Sequence, residues 1–348
     1  MHDDPLRVEG MQQRTLGRTG RSVSVIGLGT WQLGADWGAV TEADALAVLD
    51  ASAEAGVTFF DTADVYGDGR SETIVGRFKA AHPDAGITVA TKMGRRVDQV
   101  PENYTLANFR QWLDRSRSNL RVDTIDLVQL HCPPTPVYSN DEVFDALDQL
   151  VSEQVIANYG VSVETAAEAL TAIARPNVAT VQIILNAFRL KPLDEVLPAA
   201  KAAGVGIIAR VPLASGLLTG RYTKDTTFPE NDHRNFNRHG EAFDVGETFS
   251  GVDFETGVAA AQEFADAVAR LREEWKIENH ALLTPAKAAL AWVAQQAGVS
   301  TVIPGARNAD QALSNAAAAS VPELGPEFNA RVRDIYDRRF RAVIHDKW

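Results

Sequence analysis

A strict alternation of short apolar runs and helical patterns is the feature that most constrains how this chain folds. The apolar runs are continuous rather than interrupted at every second residue, which is typical of parallel strands buried on both faces. The predicted strands are residues 26–29, 57–60, 87–91, 125–130, 156–161, 180–185, 205–209 and 300–303. The predicted helices are residues 41–55, 71–81, 105–120, 140–153, 164–174, 193–203, 256–275, 284–297, 309–319 and 326–340. Eight such strand–helix units predict a (β/α)8 TIM barrel.

An open, doubly wound sheet is the alternative fold for such an alternation. That fold usually carries Gly-x-Gly-x-x-Gly after its first strand, whereas the first strand here contains G-L-G-T-W and lacks the third glycine. No linker rich in proline or glycine divides the chain. We therefore expect one barrel domain over residues 1–348, with a loose polar leader at 1–10 and a long polar loop, residues 219–255, inserted after the seventh strand.

The segment before the first strand predicts an N-terminal β-hairpin, because residues 14–16 and 22–24 flank the turn sequence G-R-T-G. We expect this hairpin to close the bottom of the barrel. At the first long helix, Thr41 is the predicted N-cap, with Asp44 in a capping-box role and Gly56 as the C-terminal stop.

Composition and charge exclude several classes of function. Lys plus Arg is 34 and Asp plus Glu is 46, which gives a formal net charge of −12, so nucleic acid and anionic membranes are not expected partners. The sequence has no apolar run long enough for a membrane span and no signal-peptide pattern in its leader. The single cysteine, Cys132, excludes an intrachain disulfide. We expect a cytoplasmic protein that acts on a small molecule, and the sequence leaves its oligomeric state open.

Polar residues stand where the predicted strands end, and the active site of a (β/α)8 barrel lies at that end. The second, third and fourth strands lead into Asp61, Lys92 and His131, and Tyr66 follows Asp61 in the same segment. We expect Asp61 to pair with Lys92, whose charge would stabilise a Tyr66 phenolate and lower the tyrosine pKa. His131 could orient a carbonyl oxygen. This set could deliver a proton to a carbonyl group while hydride arrives from elsewhere.

Simpler interpretations stay open for each residue taken alone, such as a helix-capping aspartate, a loop tyrosine or a surface lysine. A metal site is less favoured, because Asp61 and His131 are too few ligands. A Ser–His–Asp hydrolase would need a Gly-x-Ser-x-Gly turn, which the chain lacks. A Schiff-base aldolase or isomerase could use Lys92 but would leave Tyr66 unexplained.

Eight segments, in order across roughly residues 12 to 320, resemble the aldo-keto reductase family. They are L-G-R-T-G, G-L-G-T-W, F-F-D-T-A-D-V-Y-G, T-K-M-G, D-L-V-Q-L-H, Y-G-V-S, V-P-L-A-S-G-L-L-T-G-R-Y and V-I-P-G-A-R-N-A-D-Q-A-L-S-N. The resemblance implies reduction of aldehydes or ketones with NADPH on a TIM barrel, or the reverse oxidation of an alcohol. By position it implies that Tyr66 is the general acid, supported by Asp61, Lys92 and His131.

The same resemblance implies a set of residues that bind the cofactor. They are Thr30, Trp31, Asp61, Ser162, Gln182, Arg210, Leu213, Gly216, Gly305, Arg307, Gln311 and Asn315. Within this set, Ser162 and Gln182 match positions that hold the nicotinamide carboxamide, and Gly216 lies in the segment that covers the pyrophosphate. Arg307 is the implied partner of the adenosine 2′-phosphate. The implied substrate residues are Trp31, Trp37, Tyr66 and His131.

Three positions depart from the family pattern. Val163 stands where the family often has asparagine, and Arg210 stands where it often has a tyrosine that stacks on the nicotinamide. Gln311 stands where some members have arginine. The missing positive charge means that NADPH is the preferred cofactor but NADH is not excluded. The alternative to an enzyme is a regulatory or redox-sensing subunit that binds NADP and turns over slowly, as some channel subunits of this family do.

Overall fold

The computed structural model describes residues 10–34 and 40–348. The leader, apart from Gly10, and the predicted substrate residue Trp37 lie outside the described residues.

A closed barrel of eight parallel strands, preceded by an antiparallel hairpin, is the core of the described structure. The hairpin strands are β1 (Gln13–Thr15) and β2 (Ser22–Ser24), and the barrel strands are β3 (Leu28–Gly29), β4 (Phe59–Asp61), β5 (Thr88–Met93), β6 (Leu127–His131), β7 (Tyr159–Ser162), β8 (Thr180–Ile184), β9 (Gly206–Arg210) and β10 (Val299–Val302). Each barrel strand pairs with the next along the chain. Parallel bridges from Ile26 to Val302 and from Gly29 to Gly305 join the first strand to the last. The predicted TIM barrel and hairpin are confirmed.

Helices surround the barrel, and among those described the ten predicted helices occur in the predicted order. The described helices are α1 (Trp31–Gly34), α2 (Glu42–Glu54), α3 (Arg70–Ala81), α4 (Leu106–Leu120), α5 (Asp141–Ser152), α6 (Ala166–Ile173), α7 (Val196–Ala203), α8 (His233–Phe236), α9 (Phe254–Glu274), α10 (Pro285–Ala294), α11 (Ala309–Ala316), α12 (Gly325–Arg339) and α13 (Arg341–Ile344). The short helices α1, α8 and α13 were not predicted. The capping box of Thr41 and Asp44 on α2 is present as predicted. Across the described ranges, the helices are too short or too polar to cross a membrane.

The hairpin closes the end of the barrel at which the strands begin. Leu16 and Val23 are fully buried against inward side chains of the barrel strands. Gly17 has a φ of +49°, and a Cβ atom there would lie 2.1 Å from the Gly206 nitrogen. Only glycine therefore lets the hairpin approach β9 this closely. The Arg14 side chain reinforces the contact by donating hydrogen bonds to two backbone carbonyls beneath the barrel, each 2.7 Å long.

The insertion at residues 219–255 folds on itself. It contains α8 and several single turns, and Asn237 and Phe249 within it are fully buried. The Asn237 amide donates to Thr248 Oγ1 at 3.2 Å, and its carbonyl oxygen accepts from the backbone nitrogens of Ala242 and Phe243. One buried amide thus ties three stretches of the insertion together.

Loss of the hairpin plug should destabilise the whole barrel. We expect Leu16→Ala to lower the free energy of unfolding by about 2–5 kcal/mol, because it leaves a cavity beneath the strands. Leu313→Ala is the matched control, since Leu313 is 46% exposed and the same truncation there should cost less than about 0.5 kcal/mol. Urea unfolding monitored by circular dichroism measures both. Equal losses for the two variants would contradict a plugging role for Leu16.

Candidate active site

A layer of three polar side chains crosses the interior of the barrel below the site. Asp61 Oδ1 accepts hydrogen bonds from Gln129 Nε2 at 3.0 Å and from Gln182 Nε2 at 2.8 Å. Gln182 Nε2 also donates to Gln129 Oε1 at 2.9 Å. The three residues come from β4, β6 and β8, and inward side chains of alternate strands share a layer in this fold. The Asp61 carboxylate is therefore buried with two amide donors in place.

Lys92, on β5, lies at the centre of the site. Its ammonium forms an ion pair with Asp61 Oδ2, donates to the Thr62 carbonyl oxygen at 3.0 Å and lies 3.2 Å from the Tyr66 hydroxyl. Burial lowers the pKa of Lys92, but the charges of Asp61 and Tyr66 outweigh it, so the net shift is upward. Lys92 thus stays cationic inside the barrel.

Tyr66 follows β4 and presents its hydroxyl to Lys92. Desolvation of the buried phenol raises the pKa of Tyr66. The charge of Lys92 lowers this pKa and the charge of Asp61 raises it, and the net shift is upward. The sequence-based expectation of a lowered Tyr66 pKa is therefore wrong. The reason is that Asp61 cancels much of the Lys92 charge, which leaves dehydration as the larger effect. The Tyr66 hydroxyl is therefore protonated throughout the neutral pH range and can act as a proton donor.

His131 stands at the end of β6, beside Tyr66. The two rings are 6.0 Å apart between centroids and nearly perpendicular. Burial lowers the pKa of His131 well below its usual value, and the positive charges of Arg95, Lys92 and Arg210 lower it further. The imidazole is therefore neutral and has one N–H group to donate. Its Nδ1 atom has no hydrogen-bond partner among the described residues.

Arg210, at the end of β9, is the centre of a second charged group. Its guanidinium donates to Glu247 Oε1 at 2.5 Å and to the Val163 carbonyl oxygen at 2.8 Å, and it lies 3.3 Å from Glu164 Oε2. It also lies 3.7 Å from the sulfur of Cys132. The ligand atoms of Cys132, Glu164 and Glu247 are within 4.8 Å of one another, a spacing that could suit a metal ion. The Arg210 guanidinium already supplies the cation among these three groups.

The two predicted carboxamide-binding residues lie side by side on neighbouring strands, Ser162 at the end of β7 and Gln182 within β8. Ser162 Oγ is 3.3 Å from Cys132 Sγ, and the nitrogen of Gln182 is engaged by the polar layer, so its carbonyl oxygen is the remaining polar atom. The hydroxyl of the predicted cofactor residue Thr30 donates to the Asp61 carbonyl oxygen at 2.9 Å and contacts Ser71 Oγ. Thr30 thus fixes the end of β4 rather than presenting a free hydroxyl.

The predicted adenosine-binding residues surround the start of α11. Arg307 has a 43% exposed side chain and lies 3.9 Å from Asp232 of the insertion. Gln311 accepts a hydrogen bond from the Arg307 backbone nitrogen, and Asn315 donates to the Gly305 carbonyl oxygen. Both amides therefore hold the loop that carries Arg307.

The predicted pyrophosphate segment follows β9. Leu213 is half-buried, and its carbonyl oxygen accepts from the Gly216 nitrogen at 2.9 Å. Gly216 has a φ of +98°, and a Cβ atom there would lie 2.3 Å from the Tyr222 hydroxyl. Close packing against Tyr222 is thus a reason for this glycine that is independent of any phosphate. Gly305 is similar, because a Cβ atom there would lie 2.1 Å from the Gln32 side chain.

Aromatic rings from the insertion complete one side of the site. The Trp31 ring lies 6.5 Å from Tyr66, 4.9 Å from His233 and 6.4 Å from Phe243, measured between centroids. The insertion therefore contacts the ring of Trp31, which in turn lies beside Tyr66.

Four residues of the site were not predicted from the sequence. They are Arg95, Gln129, Glu164 and Glu247. Gln129 could have been found, because it is two residues before His131 on one strand and side chains two apart share a face. The sequence contains no comparable signal for Glu247, which lies in the irregular insertion and meets Arg210 37 positions away.

Comparisons with known proteins agree with this geometry. The profile of the Aldo/keto reductase family matches residues 25–337. The aldo-keto reductase yakc of Schizosaccharomyces pombe, whose name specifies NADP(+), is 29% identical over 82% of this chain and 81% of that protein. A probable voltage-gated potassium channel subunit beta of Oryza sativa subsp. japonica is 31% identical over 91% of this chain and 94% of its own. The solved structure of the glycerol dehydrogenase AKR11B4 from Gluconobacter oxydans is 29% identical, with a TM-score of 0.74 and 95% of each chain covered.

The buried ion pair gives a test of the site's energetics. We expect Lys92→Met to lower the free energy of unfolding by about 3–5 kcal/mol, because it leaves the Asp61 carboxylate buried without its counter-charge. The double variant Asp61→Asn/Lys92→Met removes both charges and keeps an acceptor for the two glutamines, so it should recover most of that loss. Urea unfolding at neutral pH measures both. A double variant less stable than Lys92→Met alone would contradict the pairing.

Proposed function

The chain belongs to the aldo/keto reductase family, and we propose that it is an NADP(H)-dependent oxidoreductase that interconverts a carbonyl group and an alcohol. The observation that carries the proposal is the Tyr66 hydroxyl 3.2 Å from the Lys92 ammonium, which is itself paired with the buried Asp61. A protonated phenol beside a fixed cation is suited to donating a proton and then stabilising the phenolate that remains.

The donor set supports a nicotinamide dinucleotide phosphate. Such a cofactor, when bound, supplies or accepts the hydride. Ser162 and the carbonyl oxygen of Gln182 could hold a carboxamide, and the exposed Arg307 guanidinium at the start of α11 is suited to a phosphate. Leu213 and Gly216 follow β9 between these two ends and would cover the pyrophosphate.

The proton steps follow from the charges of the site. In reduction, Tyr66 donates its proton to the carbonyl oxygen, and the neutral His131 ring donates a hydrogen bond to the same oxygen. Lys92 stabilises the phenolate and Asp61 holds the ammonium in position. In oxidation, the phenolate accepts the alcohol proton. Because the pKa of Tyr66 is raised, reduction should be insensitive to pH around neutrality and oxidation should accelerate as the pH rises.

Removal of the phenol hydroxyl tests the catalytic role. We expect Tyr66→Phe to reduce kcat for carbonyl reduction by about 10²–10⁴-fold, the usual contribution of a general acid, with the NADPH dissociation constant changed less than about threefold. The carbonyl panel includes glyceraldehyde and dihydroxyacetone, because a similar solved structure is that of a glycerol dehydrogenase. Full activity of Tyr66→Phe would refute the assignment.

A second candidate function is that of an NADP-binding regulatory subunit. The observation that favours it is the similarity, over 91% of this chain, to a probable potassium channel subunit beta. Tight cofactor binding by the wild-type protein, with no turnover across the whole carbonyl panel, would favour this candidate. The complete set of Asp61, Tyr66, Lys92 and His131 favours the enzyme.

Arg307 tests the preference for the phosphorylated cofactor. We expect Arg307→Ala to raise the NADPH dissociation constant about 10- to 100-fold, as lost charge-assisted hydrogen bonds require, and to leave NADH binding unchanged. Arg333→Ala is the control, because it removes an equal charge from an exposed position on α12. Titration of cofactor fluorescence measures both cofactors. Equal weakening of NADPH and NADH would place Arg307 elsewhere than at the 2′-phosphate.

Three further expectations stay predictions: a single domain over the full chain, a cytoplasmic location and a small-molecule carbonyl or alcohol as the substrate.

A further inference from the structure

The loop after β8 carries a buried cation that the reaction proposed above does not use. Arg189 is 1% exposed, and its Nη2 atom donates to the Glu164 carbonyl oxygen at 2.5 Å. Its Nη1 atom packs on Gly246, where a Cβ atom would lie only 2.3 Å away. Gly246 immediately precedes Glu247. One guanidinium therefore contacts both segments that supply carboxylates to Arg210.

The indole of Trp348 covers this guanidinium. The Arg189 Cζ atom lies 4.1 Å from the Trp348 ring centroid, within the range of a cation–π contact. Trp348 is itself buried and also packs on Gly251, where a Cβ atom would lie 2.8 Å from its ring. The segment from Gly246 to Gly251 is thus held between Arg189 and Trp348.

Arg189 has no carboxylate in direct contact to balance its charge among the described residues. Burial and the charge of Arg210 lower its pKa to about 10, and the charges of Glu164, Asp244 and Glu247 offset only part of that shift. Its Nε and Nη1 atoms have no hydrogen-bond partner in the described part of the chain. The aromatic face of Trp348 is therefore a principal partner of the charge, and an apolar side chain of similar size could not replace it.

We infer that Arg189 and Trp348 are positioning residues that hold the 244–251 segment, and with it Glu247, against Arg210 at the active site. The inference rests on the function proposed above only for its catalytic consequence. Ser215 Oγ, which accepts from the Phe249 nitrogen at 3.0 Å, and Asn186 Nδ2, which donates to Ser250 Oγ at 2.7 Å, hold the same segment from the barrel side. Arg189 and Trp348 add contacts to this segment at Gly246 and Gly251.

The catalytic consequence involves Tyr66. The charged groups that act on it are Lys92, Asp61 and Glu247, and His131 beside it is neutral. Dehydration is the largest cause of the raised Tyr66 pKa, and the Glu247 charge adds to it. Release of the 244–251 segment would admit water and move Glu247 away, and both changes lower the pKa of Tyr66.

Two substitutions at Trp348 separate an aromatic contact from simple packing. Trp348→Leu keeps an apolar side chain without a ring, and Trp348→Phe keeps an aromatic face. Val343→Ala is the control, because Val343 lies on α13 of the same terminal stretch and is 60% exposed. In hydrogen–deuterium exchange of the full chain without cofactor, we expect amides of residues 244–251 to exchange at least about tenfold faster in Trp348→Leu. Trp348→Phe and Val343→Ala should match the wild type.

Initial rates across pH then measure the consequence at Tyr66. The pH at which kcat/KM for alcohol oxidation levels off should fall by about half a unit or more in Trp348→Leu and stay unchanged in Trp348→Phe. Unchanged exchange at 244–251 in Trp348→Leu would overturn the inference, and so would an equal effect of Trp348→Phe. Absence of turnover in the wild type would refute the proposed function instead, and the exchange experiment would still decide whether the pair holds the segment.

Discussion

A lysine ammonium and an aspartate carboxylate lie together inside a barrel of apolar strands, and the chemistry of the site depends on both staying charged. Either charge alone at this depth would cost several kcal/mol. The amides of Gln129 and Gln182 occupy the second oxygen of Asp61, so the carboxylate is fully engaged. Because these donors come from alternate strands, they converge only when the barrel is closed. The hairpin that plugs the far end thereby supports the same pair.

The loops that follow the strands carry a second group of compensating charges, in addition to the Lys92–Asp61 pair. Arg210 places a further cation near His131, and Glu164 and Glu247 supply two anions next to it. Glu247 comes from the insertion, so one contact both neutralises Arg210 and draws the insertion over the site. Burial is the largest cause of the upward shift of the Tyr66 pKa, and the Glu247 charge adds to it. Charge compensation and burial at this site therefore depend on each other.

The alternation of apolar runs and helical patterns was enough to predict the barrel. The site was predicted less completely, because several of its contacts join irregular segments that are far apart in the sequence. The strand ends at Asp61, Lys92 and His131 were found because each follows a continuous apolar run, and their proximity then follows from parallel pairing. The predicted direction of the Tyr66 pKa shift was wrong because the shift depends mainly on burial of the phenol, which the local sequence does not reveal. Gly216 shows the same limit, since its close contact with Tyr222 is not visible in the local sequence.

The arginine at position 210 is compatible with this site because its partners are distributed over two loops. A guanidinium held in its plane by Glu247 and the Val163 carbonyl oxygen still presents a flat face, as an aromatic side chain would. Replacing Arg210 alone with an aromatic residue would leave Glu247 without its guanidinium partner and Glu164 with Arg95 as its remaining cation. Replacing Glu247 alone would remove one of the two anions that balance Arg210 near His131. The three residues therefore form one unit, and a stable exchange for an aromatic residue requires changes at position 210 and in both loops together.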